Sequence, residues 1–218
     1  MAHIDMGAKI LDKSERFAAE NRALLDEHGV YMIDLLASPG AGKTSTIKAT
    51  INALRDKYAI AVIEGDIASN VDAVRIKEMG IPAVQVNTGG SCHLEGDMVN
   101  KALKVLDLDA IDLIIIENVG NLVCPTDFYL GEDTKVMILS VPEGDDKPLK
   151  YPGIFQAASA IILNKVDTLP VFDFDVEAFE ERIDDLNPGV PLFKIAATKE
   201  DGVAEWADWL DAQLAATN

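Results

Sequence analysis

Basic residues are scarce in this chain, with 19 Lys and Arg against 37 Asp and Glu over 218 residues, a net charge of −18. A surface so acidic repels phosphate backbones and anionic headgroups, which argues against nucleic acid or membrane as a partner. Cysteine is nearly missing: Cys92 and Cys124 build no disulfide framework, and a reducing, cytoplasmic setting is expected. No apolar run approaches the roughly 20 residues that cross a bilayer, and the N-terminus has no signal-peptide h-region. Repeats, low-complexity stretches and a clear linker are also missing, which leaves little room for a multi-domain arrangement.

The chain is 49% apolar and 26% charged, enough for one sizeable core. Residues 1–29 read as a helix, because Ile10/Leu11, Phe17/Ala18 and Leu24/Leu25 recur at seven-residue spacing with charges between them. From Val30 the pattern changes to short apolar runs, "VYMIDLL", "YAIAVIE", "IPAVQV", "IDLIIIE", "TKVMILSV", "AIILN" and "PLFKI", mostly separated by amphipathic segments. Runs of that length suit strands buried on both faces. The expected fold is α/β, a mostly parallel sheet with helices on both faces, comprising an N-terminal helical extension (1–29) and one domain (30–218).

The first run leads into "LLASPGAGKTST" and then a helix. Ser38, Pro39, Gly40, Ala41 and Gly42 would wrap backbone N–H groups around a β-phosphate, with Ser45 opening the helix behind them. Lys43 would neutralise β/γ charge, Thr44 would offer a hydroxyl to Mg²⁺, and the helix N-terminus adds its positive end. The usual P-loop pattern begins with glycine, whereas Ala37 holds that place here. Further on, "LNKVD" closes another strand. A carboxylate at Asp167 accepts both the N1–H and the 2-amino group of guanine, and adenine would leave it unpaired. Asn164 and Lys165 would brace that end, and Ala197 in "IAATKEDG" is a candidate second base contact. The expected ligands are GTP and GDP with Mg²⁺.

Two further strand ends supply carboxylates, which phosphoryl transfer needs for magnesium and for orienting water. "VIEGDIASNVDAVRI" holds Asp66 and Asp72, candidates for a first switch, with a helix N-cap as the alternative for either. "IENVG" holds Glu117, which resembles a second magnesium-shell acid, and Gly120 as a γ-phosphate sensor. Asn121 stands after Gly120 where Ras-like GTPases carry glutamine, so slow intrinsic hydrolysis is expected. Cys124 follows four residues past that sensor, and "NTGGSCHLEG" places Cys92 beside His93 in another strand-end loop. Thiolate and imidazole together suit borderline-soft Ni²⁺ or Zn²⁺. Three such ligands leave a coordination position open or allow two chains to share a site.

These residues resemble the hydrogenase nickel-incorporation GTPases (hydrogenase maturation factor B, SIMIBI class), from about Val30 to the C-terminus. The likeness is carried by "SPGAGKT", "VNTGGSCHL", "IENVGNLVCP", "VPEGDDKPLKYP" and "LNKVD". It implies GTP hydrolysis coupled to nickel delivery into the [NiFe]-hydrogenase large subunit, alongside other maturation proteins, and a homodimer promoted by GTP. It implies nickel or zinc ligation by Cys92, His93 and Cys124 at the dimer interface, and a Lys150 that reaches the partner's nucleotide. Many bacterial relatives add an N-terminal cysteine cluster or a histidine-rich stretch. Here the histidines are His3, His28 and His93 alone, so a tight nickel store is not expected. A Met1–Ala2–His3 chelate through backbone nitrogens is a minor alternative.

Other readings weigh less. Urease-accessory GTPases place a proline between their paired ligands, whereas Cys92 and His93 are adjacent. A small-molecule P-loop kinase with structural thiols seldom needs the base reader "LNKVD". A passive metal-binding protein would leave the phosphate machinery without purpose.

Overall fold

A computed structural model describes the backbone of residues 6–66 and 75–217. Asp72 lies outside these residues, as do Met1, Ala2 and His3, and so do the side chains of Ile10 and Leu11. The seven apolar runs become β1 (Tyr31–Ala37), β2 (Ile60–Asp66), β3 (Ala83–Asn87), β4 (Leu113–Glu117), β5 (Thr134–Ser140), β6 (Ala160–Asn164) and β7 (Leu192–Lys194). They form one sheet in the order β3-β2-β4-β1-β5-β6-β7. Every pairing in it is parallel. Parallel neighbours require long crossovers, and the crossover helices cover both faces, which is why the strands read as unbroken apolar runs.

The described helices are α1 (Met6–His28), α2 (Lys43–Leu54), α3 (Gly96–Leu103), α4 (Lys147–Lys150), α5 (Pro152–Ala157), α6 (Val176–Leu186) and α7 (Val203–Thr217). Alternation along β1 assigns its residues to opposite faces. Ile33 and Leu35 join Ile47 and Ile51 of α2 and Trp206 and Leu210 of α7. The other face is shared, with Met32 packing beside Leu25 of α1 and Val99 and Leu103 of α3. Leu36 packs instead beside Phe155 of α5 and Phe179 and Ile183 of α6. Each large buried side chain contributes about 1.5–3 kcal/mol. An exposed pair such as Lys13–Asp97 adds at most about 1 kcal/mol. Packing therefore holds α1 on the sheet, and the ion pairs trim the fit.

Because the strands all run one way, their carboxyl ends share one edge. The strand order reverses at β1, and the crevice above such a reversal is where open α/β sheets bind ligands. The loops after β1, β3, β4, β5 and β6 open onto that edge, and β2 ends there at Asp66.

Candidate functional site

The loop from Ser38 to Gly42 joins β1 to α2. Gly42 precedes α2 at φ 101°, and a Cβ there would collide with the Asn164 amide. Glycine alone meets both demands. Ala37 replaces the usual first glycine without harm: it ends β1, fully buried, and its carbonyl accepts from Asn121 N–H at 2.9 Å. The loop borders a cavity of about 490 Å³ lined by Gly40, Lys43, Thr44, Asp66, Glu117 and Gly120 among others. Thr44 Oγ1 donates to Glu117 Oε1 at 2.8 Å, bringing the expected magnesium pair together. Lys43 Nζ lies 3.5 Å from the Ser38 carbonyl, at the mouth of the loop.

The residues expected to meet the base close the far side. Asn164 is buried, donates from Nδ2 to the Ala41 carbonyl at 3.0 Å, and accepts at Oδ1 from Lys165 N–H (2.8 Å) and Ala197 N–H (3.2 Å). Lys165 adopts φ 60°, an uncommon conformation for a side-chain-bearing residue, and its Nζ donates to the Gly40 carbonyl at 2.6 Å. Asp167 pairs with Lys199 at 2.9 Å. Asn164 thus braces the phosphate loop and the Ala197 loop together.

The other half of the edge carries sulfur. Cys92, His93 and Cys124 place one donor atom each within 4.8 Å of one another. That is about twice the metal–sulfur distance of about 2.3 Å, so the set can close on one ion. Cys92 Sγ lies 3.6 Å from His93 Nδ1. His93 stacks on Phe128 with ring centroids 3.9 Å apart; its Nε2 is buried and makes no hydrogen bond. Burial holds the imidazole pKa below its usual value, which favours the neutral, ligating form. The Cys92 thiol is pushed up, first by its hydrogen bond with Cys124 and then by burial. An imidazole whose Nδ1 faces the Cys92 thiol, with the Cys124 thiol within the same 4.8 Å, fits a thiophilic divalent ion. Cys124 reaches this cluster because Asn121 Oδ1 accepts from Val123 N–H (2.8 Å) and Cys124 N–H (3.1 Å), curling the chain directly after Gly120. A Cβ on Gly120 would come within 2.9 Å of Pro39 N, so the sensor glycine rests against the phosphate loop itself.

The family described as "CobW/HypB/UreG, nucleotide-binding domain" matches residues 32–194. The chain belongs to this family. A hydrogenase maturation factor HypB from Azotobacter vinelandii is 50% identical over 204 residues, covering 94% of this chain and 67% of that protein. The crystal structure of HypB from Helicobacter pylori in complex with nickel superposes with a TM-score of 0.88 at 37% identity, covering 93% of this chain and 95% of that one. The structure of HypB from Archaeoglobus fulgidus gives 0.87, also at 37% identity, over 94% of this chain and 100% of that one.

Within this CobW/HypB/UreG domain, Lys150 stands apart from the phosphate cavity. On α4 it pairs with Asp146 and borders a hollow with Leu122, Val123, Thr126 and Tyr151. Some site residues went unnoticed in the sequence. Glu64, buried in β2, and Arg75 line the phosphate cavity; the acid inside the apolar run "YAIAVIE" was the available signal for the first. Glu143 contacts the Ser38 hydroxyl while accepting from Ser140 N–H (2.7 Å) and Oγ (2.6 Å). Its signal was the capping-box spacing "SVPE". No helix among the described residues is long and apolar enough to cross a membrane.

Proposed function

We propose that this chain is a GTPase that delivers nickel during [NiFe]-hydrogenase maturation, with nucleotide state and metal affinity linked. The observation that carries the reading is one segment, Glu117–Cys124. It holds the acid bonded to Thr44, the glycine against Pro39, and a thiol of the three-donor cluster. Eight residues therefore join phosphate chemistry to metal chemistry. Thr44 and Glu117 would hold Mg²⁺, which would supply positive charge against the nucleotide's phosphates. Lys43 binds the same oxygens, Asp66 and Asp72 serve the first switch, and Asp167, Asn164, Lys165 and Ala197 select guanine. Asn121 has its amide oxygen committed to Val123 and Cys124, which supports slow intrinsic turnover.

Cys92, His93 and Cys124 carry the nickel cargo, or zinc in its place, and the fourth position is completed by a second chain in a GTP-promoted homodimer. The exposed Lys150 reaches the partner's nucleotide, and the cargo passes to the hydrogenase large subunit. Residues 1–29 act as an appended helix on the 30–218 GTPase body. The likeness to hydrogenase maturation factors, and the nickel in one relative's crystal structure, support this reading. The test is a Ni²⁺ and Zn²⁺ titration in GDP and in a non-hydrolysable GTP analogue, following mass by sedimentation. Cys92→Ala or Cys124→Ala should abolish metal binding and leave GTP hydrolysis in place. Metal affinity that survives both substitutions would remove the cluster from the function.

A further inference from the structure

The two halves of the metal cluster come from different strand ends, and only one has an evident tie to the phosphate sensor. Cys124 follows Gly120 along the chain and is curled by Asn121. Cys92 and His93 lie after β3, far away in sequence. The contact that spans this gap runs through Asn118. Its Oδ1 accepts two backbone amides at once, Val119 N–H at 2.9 Å, next to the sensor glycine, and Leu94 N–H at 3.1 Å, next to His93. Its Nδ2 donates to both carboxylate oxygens of Asp34, each at 3.1 Å, in the middle of β1. Its own N–H donates to the Leu35 carbonyl at 3.2 Å. Asn118 is 1% exposed and Asp34 0%, so water does not substitute for any of these partners.

We propose that Asn118 is the positioning residue that passes the state of the phosphate sensor to the Cys92–His93 loop. With Nδ2 pinned by Asp34, the amide plane cannot turn away, and one oxygen is shared between two mobile-end amides. Displacement of Val119 changes the angle and length of its bond to that oxygen, and hydrogen bonds weaken steeply with misalignment. The bond from Leu94 strengthens or weakens in answer. On its other side the loop is tied to α1, where Gly96 N–H donates to Ser14 Oγ at 3.0 Å, so a change at Leu94 is concentrated on His93 and Cys92. A glutamine is too long for the site and an alanine lacks the acceptor.

This inference rests on the linkage between nucleotide and metal proposed above, and the experiment separates the two. Ni²⁺ affinity is measured in GDP and in a GTP analogue for the wild type, Asn118→Ala and Asn118→Ser. The wild-type ratio is expected to be several-fold or more, and the variants should bind metal and nucleotide with a clearly smaller ratio, that left by Cys124 alone. A wild-type ratio of one would overturn the linkage and the inference with it. A wild-type ratio retained in either folded variant would overturn the role of Asn118 alone. The wild type also allows a reading that needs no substitution. In metal-free, ¹⁵N-labelled protein, exchanging GDP for the analogue should shift the Leu94 and Val119 amide resonances together. A shift at Val119 with Leu94 unmoved would also overturn the role of Asn118.

Discussion

Lys43 and Asp34 are both ionisable groups of the same strand–loop–helix unit, and their surroundings set them opposite tasks. Lys43 faces the phosphate cavity, where in the proposed function its charge meets the phosphoryl oxygens. Lys43→Ala should reduce GTP turnover about a hundredfold or more, measured as phosphate release, while the melting temperature changes little. Asp34 is buried at the centre of the sheet, and its pKa is pushed up to about 8 by burial first and by the Glu132 carboxylate second, against Lys135 and the Asn118 hydrogen bond. The unfolded chain releases this proton near pH 4, so between those values the native state binds more protons than the unfolded one. Stability should therefore decline as pH rises from about 4 to about 8. Asp34→Asn should flatten that decline, with its gain largest at the alkaline end, as read from urea melts across the range. An unchanged slope would mean that Asp34 is ionised in place.

At the scale of elements, α1 does more than cover apolar surface. Asn21, fully buried, donates to the Gly96 carbonyl (3.0 Å) and the Leu130 carbonyl (2.8 Å) and accepts from Asn100 Nδ2 (2.9 Å). Gly96 follows the Cys92–His93 loop, and Leu130 follows the Cys124 turn, so one side chain clasps the flanks of both metal-bearing segments. Asn21→Ala strands three buried groups, at about 1–3 kcal/mol for each one left unsatisfied. A fall of several degrees or more in melting temperature is expected by calorimetry, with metal affinity weakened and the nucleotide affinity nearly kept. The seven strands were legible in the sequence because a two-sided sheet writes unbroken apolar runs. The phosphate loop was legible because its chemistry fixes residue type and spacing, and the same logic singled out Asn164, Asp167, Cys92, His93 and Cys124 for the base and metal roles proposed above. Asn21 and Asn118 were not, since each acts through backbone groups distant in sequence, and nothing local marks which amide an asparagine will meet. Lys150 was visible only through family likeness, and its placement away from the phosphate cavity follows from the short helix α4.

Across the whole molecule, the net charge of −18 opposes any pairing of two copies. Repulsion between like-charged bodies is screened within about 8–10 Å at moderate salt. The proposed GTP-promoted dimer should therefore tighten as salt rises from about 0.05 to about 0.5 M, measured by sedimentation velocity in the GTP analogue. Weakening with salt would point instead to an interface held mainly by ion pairs across the two chains.

The bonds from Asn164 to the Ala41 carbonyl and from Lys165 to the Gly40 carbonyl have a consequence in time. They run from protein to protein, so the proposed guanine end and the phosphate loop are latched to each other by the chain's own groups. GDP and GTP meet the same rigid entrance and should associate at nearly the same rate. What distinguishes them is engaged afterwards, at Gly120 and the segment beyond it. The two nucleotides should then part company in how long they stay, and stopped-flow exchange with a fluorescent guanine analogue would show the difference in the off-rates.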